Sequence, residues 1–136
     1  MSRTYLLDTN MISESARNPN GGTALRMMKV GQDNLFTSVI VLAELRYGIE
    51  RNPLTGARAQ IELLVQSLDV RELPLQAARH YGKLRSDLER QGKPIGANDY
   101  WIAAHALAED AVLVTRNMRE FERVTGLRLE NWLDQA

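Results

Sequence analysis

The strongest constraint on this chain is an alternation. Short apolar runs at Tyr5 to Leu7, Leu35 to Ser38 and Ala111 to Thr115 are separated by longer stretches with apolar residues at helical spacing. Runs this short and continuous suit strands buried on both faces, and intervening helices suit parallel pairing. "DVRELPL", closed by Pro74, is a further strand candidate, and "LRLENW" supplies a last edge strand. The predicted helices cover "NMISESAR", "TALRMMKVG", "VIVLAELRYGIER" behind an N-cap at Ser38, "GARAQIELLVQSL", Gln76 to Arg90, and "DYWIAAHALAED". The expectation is one α/β domain over residues 1–136. It has a central, mainly parallel sheet of about four to five short strands with helices on both faces.

Composition narrows the chemistry. Lysine plus arginine numbers 17 and aspartate plus glutamate 17, so a basic surface for nucleic acid has to be local. There is no cysteine and only two histidines, which excludes disulfides and thiolate sites and argues against zinc. Any metal is therefore held by oxygen. The first fifteen residues contain Asp8 and Glu14 and lack a signal-peptide core, and "VIVLA" is too short to cross a bilayer. The expected location is the cytoplasm, without membrane contact.

Asp8 ends the first apolar run abruptly. In an open parallel sheet, ligands gather beyond the carboxyl ends of strands, and Asp8 lies at such an end. The plain alternative is that it caps the next helix. Glu44 sits in a helix beside Ile40, Val41, Tyr47 and Gly48, a mostly apolar face where a charge needs a cation, a partner or an exit to solvent. A salt bridge, for example to Arg51, is its plain alternative. Asp99 follows "PIGAN" and opens an alanine-rich helix, where an acid also satisfies free N–H groups. Asn117 and Glu120 lie just past "VLVT", at the same sheet edge as Asp8. Carboxylates brought together repel, and a divalent cation removes that difficulty. Oxygen-only ligation favours Mg2+ or Mn2+, which can activate water and clamp a phosphate oxygen.

The segments "LLDTN", "SVIVLAELRYGI", "ANDYWIAAHAL" and "LVTRNMREFERVTGLRLENW" resemble the PIN-domain nucleases, and within them the VapC ribonuclease toxins of bacterial toxin–antitoxin pairs. The resemblance implies a PIN-like three-layer fold and a Mg2+- or Mn2+-dependent endoribonuclease. It carries the metal-binding acids onto Asp8, Glu44 and Asp99, with Asp8 and Asp99 holding the metal and Glu44 binding it or taking a proton from water. The family's fourth acidic position falls on Asn117, a departure, and Glu120 is the candidate to supply the missing charge. Thr9, Ser38 and Thr115 match hydroxyl positions that support the acids. The implied reaction is in-line attack of activated water on an RNA phosphodiester, with tRNA the favoured substrate and inhibition of translation the outcome. The implied partners are a cognate VapB-type antitoxin, docking across the region of Leu25, Met27 and Met28, and a second copy of the chain.

Other residues are read more plainly. His80 and His105 are expected to be structural or surface groups rather than general bases. Tyr100 and Trp101 are expected to pack in the core rather than stack on bases. Lys83, Arg85, Arg90 and Lys93 form either an RNA path or a solvated helix face. Two rival readings stand beside the nuclease. A receiver-like signalling domain also gathers acids at a strand end, but it wants paired acids after its first strand and a late lysine. A binding module that has lost catalysis has Asn117 as its only hint.

Overall fold

The computed structural model describes residues 3–52 and 56–133. Strands β1 (Tyr5–Leu7), β2 (Leu35–Ser38), β3 (Asp69–Arg71), β4 (Val112–Val114) and β5 (Leu129–Glu130) pair in the order β3-β2-β1-β4-β5, all parallel. Helices α1 (Thr9–Arg17) and α2 (Gly22–Val30) connect β1 to β2, and α3 (Val39–Arg51) and α4 (Arg58–Ser67) connect β2 to β3. Helices α5 (Gln76–Arg90) and α6 (Ala97–Ala108) return the chain to β4, and the short α7 (Met118–Phe121) leads to β5.

The central strands are buried on both faces and are mostly apolar, with Thr37 and Ser38 the buried polar end of β2. Leu6, Leu7, Phe36, Leu113 and Val114 are fully buried. Each such side chain contributes roughly 1.5–3 kcal/mol relative to exposure. The chain builds outward from β1 to β3 and then restarts on the other side of β1 with β4. Parallel crossovers are right-handed, so this reversal sends the two helix groups to opposite faces. It also opens a crevice where β1 and β4 end side by side, in register from Leu7 to Val114.

The architecture is the expected one, with shifted boundaries. The third strand covers Asp69–Arg71 rather than "DVRELPL". Pro74 already belongs to the approach to α5, its carbonyl accepting from Ala77 N–H at 2.9 Å, and Leu75 is 88% exposed. The last strand keeps only Leu129–Glu130 of "LRLENW". Helix α6 begins at Ala97, before Asp99, because Gly96 takes the N-cap. No helix among the described residues is long and apolar enough to cross a membrane.

Candidate active site

Asp8 follows β1 directly and is 5% exposed. One carboxylate oxygen, Oδ1, accepts the Thr9 N–H at 2.8 Å, so Asp8 does cap α1. The other, Oδ2, accepts the Thr115 hydroxyl at 2.7 Å from the end of β4. Capping and presentation at the crevice are thus two duties of one side chain. Burial raises the Asp8 pKa above its ordinary value. The Thr115 and Thr9 hydrogen bonds oppose that rise, the Glu44 charge adds to it, and Arg116 opposes it.

Glu44 reaches the same crevice from α3. Its Oε1 accepts the Thr9 hydroxyl at 2.5 Å and its Oε2 accepts the Asn98 amide at 3.3 Å. The expected apolar face around it is not found. The buried stripe of α3 is Val41, Leu45 and Ile49, while Tyr47 is 65% exposed. The salt bridge to Arg51 is also absent, since Arg51 donates to the Tyr47 hydroxyl instead.

Asp99 is in the first turn of α6, half-buried, and its carboxyl lies back over Gly96. A Cβ at Gly96 would meet Asp99 Oδ2 at 3.1 Å. Its pKa is raised from 3.8 to about 7, first by burial, then by a hydrogen bond with Glu120 and by the charges of Asp8, Glu120 and Glu44. Four carboxylates therefore share one field. Among the described residues, none of the four stands in an ion pair with lysine or arginine, although arginines elsewhere pair readily.

Asn117 donates its amide to Glu120 Oε2 at 2.9 Å, and its backbone N–H donates to the Thr115 hydroxyl at 3.0 Å. Thr9 and Thr115 thus each touch an acid directly. Ser38 does not share that arrangement: its hydroxyl oxygen accepts from Ile40 N–H at 3.1 Å and caps α3. It bears on Glu44 only by fixing the start of that helix. Two asparagines escaped the sequence reading. Asn98 holds Glu44, and Asn10 Oδ1 accepts the Arg116 N–H at 3.0 Å, stitching α1 to the segment after β4. The one available signal was that each stands within two residues of a singled-out acid.

The remaining candidates lie elsewhere. His105 is fully buried six residues along α6 from Asp99, about 9 Å of helix rise. Its Nε2 is 3.4 Å from Glu109, its Nδ1 is unpartnered, and burial lowers its pKa. His80 borders a small cavity with Lys83 and Leu107. Tyr100 is core, its hydroxyl oxygen accepting from Ile95 N–H, and Trp101 stacks on Tyr81 at 3.9 Å. Arg85 and Arg90 pair along their own helix with Glu89 and Asp87, as on a solvated face.

The donor set suits a hard dication in type, since it offers several carboxylate oxygens that, among the described residues, form no ion pair with lysine or arginine, Arg116 acting on Asp8 through its charge alone. It is not drawn tight. Among the described residues, no three histidine, aspartate or glutamate side chains already stand close enough to enclose an ion. Hydroxyls and N–H groups hydrogen-bond to the carboxylate oxygens of Asp8, Glu44 and Glu120.

The sequence matches the PIN domain over residues 5–127. The chain belongs to the PIN-domain family. Within that family it sides with the VapC proteins. It is 39% identical over 129 residues to the tRNA(fMet)-specific endonuclease VapC of Shigella flexneri, covering 94% of this chain and 97% of that one. It is 42% identical over 131 residues to ribonuclease VapC1 of Haemophilus influenzae strain R2866, with the same coverage. Among solved structures, VapBC2 of Rickettsia felis bound to a promoter DNA fragment superposes with a TM-score of 0.85 at 34% identity, over 95% of this chain and 98% of that one. VapBC-1 of nontypeable Haemophilus influenzae gives 0.80 at 38%, also over 95% and 98%. The acids described above therefore sit on a VapC-type PIN fold.

Proposed function

We propose that this chain is the ribonuclease toxin of a VapBC-type toxin–antitoxin module, cleaving RNA phosphodiesters with Mg2+ or Mn2+ and so inhibiting translation. The observation that carries the reading is the meeting of Asp8, Glu44, Asp99 and Glu120 in one field, without an ion pair to lysine or arginine among the described residues. A bound dication supplies Lewis acidity toward phosphate oxygens and makes water a competent nucleophile at neutral pH. Asp8 and Asp99 are the residues to hold it, both fixed at the crevice between β1 and β4 and its neighbouring helix end. Glu44 sits opposite, suited to holding the ion or accepting a proton from the attacking water. Thr9 and Thr115 orient the acids through their hydroxyls, and Asn117 steadies Glu120.

Transfer RNA is the favoured substrate, on the strength of the Shigella relative's named activity. The restraining partner is a VapB-type antitoxin, as in the similar VapBC complexes. An open apolar groove of about 390 Å³ between α1, α2 and α4, bordered by Met28 and Leu63 at 75% and 67% exposure, suits its docking. Assembly as a homodimer in the cytoplasm belongs to the same reading, on family resemblance. Purified protein given pooled cellular RNA should cleave it with Mg2+ and not with EDTA. Asp8→Asn should lower the rate by more than about a hundredfold while the melting temperature holds. A D8N protein as active as wild type would refute the assignment.

A further inference from the structure

The acidic crevice poses a problem for the substrate of the proposed reaction. Its four carboxylates outnumber the charges of one dication, and RNA is a polyanion. A cation that is not consumed by the acids must meet the strand beside them. Of the basic stretch at α5, Arg85 and Arg90 are engaged with Glu89 and Asp87.

Arg116 is better placed. Its neighbour Thr115 donates to Asp8, and its other neighbour Asn117 donates to Glu120 and to the Thr115 hydroxyl. Its own backbone N–H is held by Asn10. The main chain at Arg116 is therefore fixed against the site from three directions. Its side chain is exposed and, among the described residues, forms no ion pair, although its charge reaches Asp8. Arg71 and Arg128, by contrast, are spent on carboxylates.

Resting on the ribonuclease reading, we infer that Arg116 is a phosphate-binding residue. It takes a phosphate of the RNA strand next to the one being cleaved and holds the strand against the acidic crevice. A guanidinium suits this task because its planar fork meets two phosphate oxygens at once. A contact to a flanking phosphate is made equally before and during reaction, so it governs KM rather than kcat.

The test uses the whole protein and a fluorescein-labelled single-stranded oligoribonucleotide, bound in EDTA across a salt series and cleaved in Mg2+. Arg116→Ala should make the slope of log K against log salt shallower by about 0.7. It should raise KM about tenfold with kcat within about twofold. Arg116→Lys should keep the slope and give an intermediate KM. Arg90→Ala, already paired with Asp87, should change neither. Circular-dichroism melts confirm that each variant is folded. An unchanged slope and KM in Arg116→Ala would overturn the inference while leaving the nuclease reading intact. Salt-dependent binding by wild type without any cleavage would overturn the nuclease reading and leave the slope test to judge Arg116. Neither binding nor cleavage by wild type would overturn both.

Discussion

Thr115 donates its hydroxyl to Asp8 Oδ2 at 2.7 Å, joining residues 107 positions apart at the ends of adjacent strands β4 and β1. Replacing it tests whether the carboxylate is held in readiness. Thr115→Val keeps the shape and removes the donor, which costs about 1 kcal/mol of stability. The Asp8 pKa should rise further, because this hydrogen bond holds it down. Metal affinity, followed by titration with Mn2+, should fall about fivefold to tenfold, and Thr115→Ser should restore most of it.

The raised Asp99 pKa gives a direction to pH dependence. Its folded value of about 7 lies above the unfolded 3.8, so the metal-free native state holds this proton more tightly. The stability it contributes is complete at low pH and is lost as pH climbs through about 7. His105, whose pKa is lowered, acts in the opposite sense below its ordinary value of 6.5. The diagnostic window is therefore about pH 6.5 to 8. There the metal-free melting temperature should fall with rising pH, and added Mg2+ should reverse the fall. Mg2+ affinity should climb with pH and level off above about 7, because the ion displaces the proton.

Glu120 raises the Asp99 pKa by both hydrogen bond and charge. Glu120→Gln should therefore move the pH profile of Mg2+ affinity to lower pH. Asn117→Asp should move it the other way, since it adds a charge and removes the amide that donates to Glu120. Isothermal titration at several pH values reads both shifts. Identical profiles for the two variants would detach Glu120 from Asp99.

Gly96 has φ −61 and ψ 151, angles that alanine adopts without strain. Gly96→Ala is thus a clean steric test. The new methyl meets Asp99 Oδ2 at 3.1 Å and must push it by a few tenths of an ångström. The expected result is a several-fold weaker Mn2+ affinity with a stability change of about 1 kcal/mol or less.

The position of Asp8 was readable because the end of β1 is readable. "YLL" stops where its apolar run stops and Asp8 stands next, whereas "LFTS" ends on the buried, polar Thr37 and Ser38. β3 was overdrawn because Leu73 and Leu75 continue its pattern, yet Leu75 lies in solvent where Pro74 turns the chain toward α5. Glu44 reaches the crevice, but not from the apolar face expected around it. The phase of α3 is set by Val41, Leu45 and Ile49, which leaves Glu44 at the edge of the buried stripe rather than within it. The partners were least legible. Thr9 meets Glu44 across 35 residues, Asn98 meets it across 54, and Asn10 meets Arg116 across 106. Such pairings are decided by packing of the whole sheet and leave no local pattern.

The central place of β1 has a consequence for synthesis. β1 is flanked on one side by β4, whose Thr115 follows Asp8 by 107 residues, and Asp8 waits for Thr115, Asp99 and Glu120 to arrive. A nascent chain still emerging from the ribosome carries the earliest acid without its company. The acidic crevice is therefore assembled only once β4 and α7 have been synthesised and packed beside β1.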